Sequence, residues 1–468
     1  MSALRFIARI CALVALVAMG LESTAQVPVQ RNPLARAVQL DPFFRYYQNR
    51  SPESIAYELK LNGYGAAHYI VIRDSGADAK LVEACQKAGV AVWYTTFGNG
   101  VYRTNDLPAG WEAWKMRHLG PNASASSTGF TFLCMNHPEY RQWKKDQAIS
   151  VLSRIPFDGF ELMENFWPAF EGIKNPLYGC LCDQCKSAFL RANPDASVIP
   201  EFTNRQDPDY HGTNKRLYQK WMDFRAKSVA EFLNDVVNGS GGVRERFPRI
   251  KVSVWGIADD LPNGVAKLRE WEGIDGGLIA KTVRPDLFVI QTDWPDWMKP
   301  ELPPTYPLKY KPYVEAIRVQ DSKVPIKLQP DVGSNEKCRR GSDWLKKCEA
   351  AAKEAGMAGL VPYEFHLWRD SYEAAPKPLW ATGTGNMVTL MFNKRIDGAT
   401  GANLQNYSVT SGKLLSAKVD GNLVRFQVEG KPMTITARNL TDDPPSRFFR
   451  NHQAVRMPAS AAVTVNWR

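Results

Sequence analysis

The chain predicts an α/β fold class, a (β/α)₈ TIM barrel over residues 33–380, followed by a small all-β sandwich over 384–468. Two observations carry that prediction. From Arg36 to about Trp368, short apolar or β-branched runs alternate with longer segments of helical period, the pattern of repeated βα units around a parallel sheet. Beyond Pro376 the pattern changes to two-residue alternation, which belongs to half-buried antiparallel strands. No Gly-x-Gly-x-x-Gly turn follows the first strand, so a barrel fits better than an open dinucleotide-binding sheet.

Residues 1–25 combine Arg5 and Arg9, the apolar run Ile10 to Met19, and small residues at Ser23-Thr24-Ala25. That order predicts a signal peptide cleaved near Ala25, a mature chain starting at Gln26, and a secreted or periplasmic protein. The apolar run is short for a membrane span, and no later stretch approaches the roughly 20 apolar residues a spanning helix needs. Losing Arg5, Arg9 and Glu22 lowers the formal charge of +11 by one unit, so the mature chain stays basic. The basic residues are scattered, which reads as a solvated surface, and no nucleic-acid-binding motif is present.

The expected barrel strands are Ala37 to Leu40, His68 to Ile72, Val90 to Thr95, Gly159 to Met163, Lys251 to Trp255, Leu287 to Gln291, Ile326 to Gln329 and Gly359 to Tyr363. Helices that end in Gly89 and Gly356 introduce two of them, since glycine accepts the left-handed conformation that stops a helix. Phe130 to Met135 also reads as a strand and is taken as an insertion or a lead-in to a helix from Pro138 to Ser153. In the second domain the expected strands include Val388 to Phe392, Leu414 to Val419, Leu423 to Val428 and Met433 to Ala437, with Asp420-Gly421-Asn422 as a turn. Met391 to Asp397, Ala402 to Tyr407 and Asn439 to Asp442 resemble bacterial Ig-like repeats. The resemblance implies a spacer or support without chemistry of its own.

Parallel barrels carry their chemistry at the carboxyl ends of the strands. Candidate catalytic carboxylates are therefore Glu164, Glu161, Asp331 and Glu364, with Glu164 foremost because it follows an apolar strand. Glycosidic cleavage needs a proton donor and a second carboxylate, while aromatic faces hold sugar rings. Arg73, Tyr94, Trp167, Trp255, Asp293, Trp294, His366 and Trp368 are the candidate substrate-binding residues. Alternation along a strand leaves only one of Glu161 and Glu164 facing the barrel centre, unless the strand breaks between them.

Cys180, Cys182 and Cys185, with Cys134 as a fourth, have spacing that suits one structural tetrahedral Zn²⁺; an exported chain also admits disulfides among them. A four-cysteine site leaves no open coordination position, so no cofactor for catalysis is expected there.

With those residues identified, the segment from about Phe130 to Phe189 resembles the family 42 β-galactosidases and related glycoside-hydrolase-like barrels. The resemblance implies an acid/base role for Glu164 and a metal role for Cys134, Cys180, Cys182 and Cys185. Two departures stand out: Glu164-Asn165 reverses that family's Asn-Glu order, and Asp331 occupies the region after strand seven where the family has a glutamate nucleophile. The expected function is an exported glycoside hydrolase acting on an oligo- or polysaccharide. A non-catalytic glycan-binding barrel and an envelope scaffolding protein are the alternatives.

Overall fold

The computed structural model describes residues 30–72, 76–120 and 129–468. The expected leader and Arg73 lie outside the described residues. Eight parallel strands form the first domain: β1 Ala37–Leu40, β2 Ala66–Ile70, β3 Ala91–Phe97, β4 Gly159–Met163, β5 Lys251–Ala258, β6 Leu287–Thr292, β7 Ile326–Gln329 and β8 Gly359–Leu360. Each pairs with the next in chain order. The ring closes where Gln39 bridges Tyr363 in parallel and donates its N–H to Pro362 O at 2.9 Å. This is the TIM-like barrel the alternating pattern predicts.

Both faces of the strands are buried, which explains why they read as nearly continuous apolar runs. Outward residues such as Tyr69, Tyr94, Phe160, Leu162 and Phe288 pack under the helices. Inward residues fill the barrel in tiers. At the floor Trp93 lies against Gly159, where an added Cβ would sit 2.2 Å from the indole; glycine is required for this close approach. Above it the Glu161 carboxylate accepts hydrogen bonds from His68 Nδ1 at 2.9 Å, Thr95 Oγ1 at 3.0 Å and Ser253 Oγ at 2.6 Å. The helices that alternate with the strands include Pro52–Leu61, Ala79–Lys87, Pro138–Arg154, Lys215–Asn238, Lys311–Gln320 and Ser342–Glu354. Gly89 and Gly356 take φ values of 78° and 91° at helix ends, as their positions require. Thr131–Phe132 pairs antiparallel with Gly100–Val101 over the barrel rim, so this segment is an insertion and not a barrel strand.

The second domain is a mixed β structure. Its strands are β9 Pro378–Thr384, β10 Met387–Phe392, β11 Tyr407–Val409, β12 Lys413–Asp420, β13 Leu423–Glu429, β14 Thr434–Ala437 and β15 Ala461–Trp467, in the order β11-β14-β15-β9-β10-β13-β12. All neighbours are antiparallel except β9 and β15. Its own apolar core gathers Val388, Leu390, Phe392, Val424, Phe426, Ile435 and Val465.

The two domains share a dense polar joint. Arg395 Nη1 donates to Tyr46 O at 2.7 Å and Gln48 O at 2.8 Å, while Ser51 Oγ donates to Asp420 Oδ2 at 2.6 Å. Among the described residues no helix is long and apolar enough to cross a membrane.

Candidate active site and metal centre

A cleft of about 680 Å³ opens at the carboxyl ends of the strands, within the roughly 300–1,000 Å³ of small-molecule sites. Asp41 after β1, Glu164 after β4 and Asp331 after β7 bring three carboxylates to its lining. Trp255, Trp297, Gln291 and Tyr363 add aromatic and amide surface.

Glu164 reaches the cleft because its backbone leaves the strand, with φ at 52°. A non-glycine residue held there is strained, and such residues gather at functional sites. Glu161 and Met163 already face inward by alternation, and the left-handed turn brings Glu164 to the same cavity. Both glutamates therefore face the barrel centre at different depths, because the strand breaks between them, at Met163. Burial pushes the Glu164 carboxyl up to about 7, partly opposed by a hydrogen bond from Gln291. For Asp41, burial and the neighbouring Glu364 charge have the same effect, also to about 7, against the Phe43 N–H bond.

Asp331 is held differently. Its Oδ1 accepts the N–H groups of Gly333 at 2.9 Å and Ser334 at 2.8 Å, and Oδ2 accepts the Ser334 hydroxyl. Burial raises its carboxyl above the usual range, and these donors oppose the rise by favouring the charged form.

Glu364 and Glu161 lie outside the cleft lining. Glu364 follows Tyr363, which lines the cleft, and its own φ of 54° turns it away. Its carboxylate accepts the Asp41 N–H, the Tyr47 hydroxyl at 2.5 Å and His366 Nδ1 at 2.9 Å, fully buried. Burial pushes it up to about 8, opposed by the Asp41 and Tyr47 hydrogen bonds. Glu161 is the interior acid described above. Burial acts to raise its pKa, but the His68 charge and the hydrogen bonds from His68 and Ser253 hold it below the ordinary value.

Of the aromatic and polar candidates, Trp255 lines the cleft. Tyr94 points outward from β3, because its neighbours Trp93 and Thr95 point inward, and packs on Phe157 and Phe160. Trp167 is buried with its Nε1 donating to Arg225 O at 2.9 Å. His366 stacks on Tyr46 at 4.5 Å, and burial holds its pKa well below the ordinary value. Trp368 caps the short helix Arg369–Glu373. Asp293 caps the turn Trp294–Trp297 by accepting from Trp294 N at 2.8 Å; burial, with the Asp296 and Glu164 charges, pushes it up to about 7 against that bond. Trp294 is 53% exposed and meets Phe170 edge-on at 5.3 Å. The cleft also takes in Phe44, Phe97, Tyr102 and Phe448, which sequence reasoning did not reach. Tyr102 sits in the excursion after β3, and Phe448 belongs to the second domain, so no strand-end pattern marks either one.

A separate cluster joins Cys134, Cys180, Cys182 and Cys185, whose sulfurs all lie within 4.8 Å of one another. Cys134 Sγ is 3.5 Å from Cys182 Sγ and 3.4 Å from Cys185 Sγ, far beyond the roughly 2.05 Å of a disulfide. These spacings suit four thiolates around one zinc at about 2.3 Å each. Asn136 Nδ2 and the Arg117 N–H each donate to a cluster sulfur, on Cys185 and Cys180 respectively, at 3.4 Å. Such donors favour thiolates and orient metal ligands. The cluster could thus hold a structural metal such as zinc. Four ligands would fill a tetrahedral ion, and none of the four cysteines lines the cleft.

Neither a family model nor a curated protein sequence matches the chain. Its structure is similar to the PgaB (BpsB) glycoside hydrolase domain from Bordetella bronchiseptica, with a TM-score of 0.51 and 14% identity over 71% of this chain and 94% of that one. A β-galactosidase from Bacillus circulans sp. alkalophilus gives a TM-score of 0.46 at 14% identity, over 71% of this chain and 50% of that one. A β-galactosidase from Rahnella sp. R3 gives 0.46 at 12% identity, over 72% and 50%. The chain spans about half the length of these two β-galactosidases. At 14% identity the first likeness is one of fold: the first domain is a glycoside-hydrolase-like barrel.

Proposed function

We propose that this chain hydrolyses a glycosidic bond at the barrel mouth, with Glu164 as proton donor and Asp331 as partner carboxylate, after export and loss of the leader. The observation that carries this reading is the convergence of Glu164, Asp331 and Asp41 with Trp255 and Trp297 on one cleft. Glycosidic cleavage needs one carboxyl group that keeps its proton at working pH and another that stays charged. Glu164, pushed up to about 7 mainly by burial, suits the first role. Asp331 is the partner for the second role, because three donors on its oxygens favour the charged form against the rise that burial causes.

The described lining carries no cationic side chain, which favours a neutral glycan over an acidic one. Trp297, part-exposed in the lining, is the aromatic surface available to a sugar ring, while Trp255, 3% exposed, forms the cleft wall.

The test is hydrolysis of aryl glycosides and envelope polysaccharides by the wild-type protein, Glu164→Gln and Asp331→Asn. Removing the general acid is expected to lower the rate at least about 100-fold. The donor works only when protonated, so the rate should fall as pH rises through about 7. A rate unchanged in Glu164→Gln would remove that residue from the chemistry.

A further inference from the structure

We infer that the second domain is part of the substrate site, with Phe448 providing a stacking face for a sugar unit beyond the bond that is cleaved. The inference rests on the glycosidase reading and deepens it: the substrate is an oligosaccharide or longer glycan that extends from the barrel mouth onto the β domain.

Phe448 is a large apolar side chain left 46% exposed, and it lines the same cleft as Glu164 although it belongs to a different domain. Burying an aromatic ring is favourable, so one presented to an open polar cleft is a candidate contact for a ligand with its own apolar face. The C–H face of a pyranose is such a surface. Phe448 meets Phe44 edge-on at 5.4 Å, and Phe44 meets Tyr363 edge-on at 6.3 Å. These rings extend one wall of the cleft outward from the junction of β8 and β1.

The residues around Phe448 fix its position. Arg447, 1% exposed, donates to the Ser371 hydroxyl, and its guanidinium lies 5.2 Å from the Tyr46 ring and 5.3 Å from the Tyr372 ring. Phe449 packs on Tyr372 at 6.0 Å, and Asp443 receives Arg395 Nε at 2.7 Å. The loop is pinned on both sides of Phe448 while the ring itself stays open. A side chain needed only for the joint would be buried as Ser446 and Arg447 are. A pinned aromatic face binds with little ordering cost.

Ring order separates this face from the proton donor. Glu164 follows β4, whereas Phe448 stands by the β8–β1 junction on the far side of an eight-strand ring. A sugar unit over Phe448 is therefore not the one whose leaving oxygen Glu164 protonates.

The experiment is calorimetric titration of the full-length protein carrying Glu164→Gln, which prevents turnover. Di- to hexasaccharides of glucose, galactose, mannose and N-acetylglucosamine serve as probes. Adding Phe448→Ala is expected to weaken the longest bound oligosaccharide about 10-fold, or about 1.4 kcal/mol, and to leave the disaccharide and the thermal midpoint unchanged. Phe448→Tyr should restore the long-ligand affinity, since it keeps the ring. Equal affinity at every length in Phe448→Ala would overturn the inference, as would an equal loss at every length with a lowered midpoint, which marks a role in the joint. If none of the probes binds the Phe448-containing protein, the glycan reading itself falls. A long-ligand loss alone supports the stacking face.

Discussion

Glu161, Glu164 and Glu364 are one residue type in three environments, and each should respond differently to change. Glu161 is a charged acid whose three partners are all inside the barrel. Glu161→Ala leaves His68, Thr95 and Ser253 without their acceptor, so urea unfolding should show a loss on the order of 3 kcal/mol. Glu164→Gln keeps the shape and removes the titrating proton, so hydrolysis is lost while folding changes little below about pH 4, where the carboxyl is protonated in both states. Glu364 behaves in a third way. Asp41, Glu164 and Glu364 hold protons up to about pH 7, 7 and 8 in the folded chain, against ordinary values of 3.8, 4.5 and 4.5. Between those limits the folded state keeps protons that the unfolded state has shed. Their contribution to stability is full below about pH 4 and is lost as pH rises towards 8. Glu364→Gln should make that decline shallower by on the order of 1 kcal/mol per pH unit between about pH 5 and 8. Urea titrations at several pH values would show it, and an unchanged slope would mean Glu364 does not titrate there.

The elements differ in how openly the sequence declares them. β1, β4 and β7 have the bounds their runs predict, because polar residues bracket β1 and β4, and Pro325 and Pro330 bracket β7. β8 proper is shorter than its run, but the run stays in the barrel beyond Leu360: Val361 N–H donates to Leu328 O at 2.7 Å, Pro362 O accepts from Gln39 N–H at 2.9 Å, and Tyr363 bridges Gln39. The strand-end rule found Glu164, Asp331 and Trp255, which line the cleft. It could not separate Tyr363 from Glu364, because which of two neighbours faces the cavity depends on register and on the left-handed turn at Glu364. The cysteine cluster is legible in the sequence because three of its four members fall within six residues. The cluster ties the excursion after β3 to the loop after β4, the loop that begins with Glu164. Elemental analysis should find one zinc per chain, and Cys182→Ser should reduce it. Chelation should lower the thermal midpoint and make the four thiols reactive to a thiol reagent; full midpoint and unreactive thiols after metal removal would rule out a metal role in stability.

At the scale of the whole molecule, the joint makes two domains into one stability unit. Arg395, Arg447, Ser51 and Asp420 place charges and hydrogen bonds across it, and several of these groups are buried. Calorimetry should therefore show one cooperative unfolding transition for the intact chain. Two separated transitions would show that the domains fold independently. The way the ring shuts has a consequence for synthesis. β1 emerges early, yet its neighbour on the open side arrives only with Gly359 to Tyr363. Until then the nascent chain carries seven paired strands with two raw margins, each able to capture a stray strand from another molecule. A ribosome that stops short of Tyr363 would release a product that clumps, not a smaller barrel.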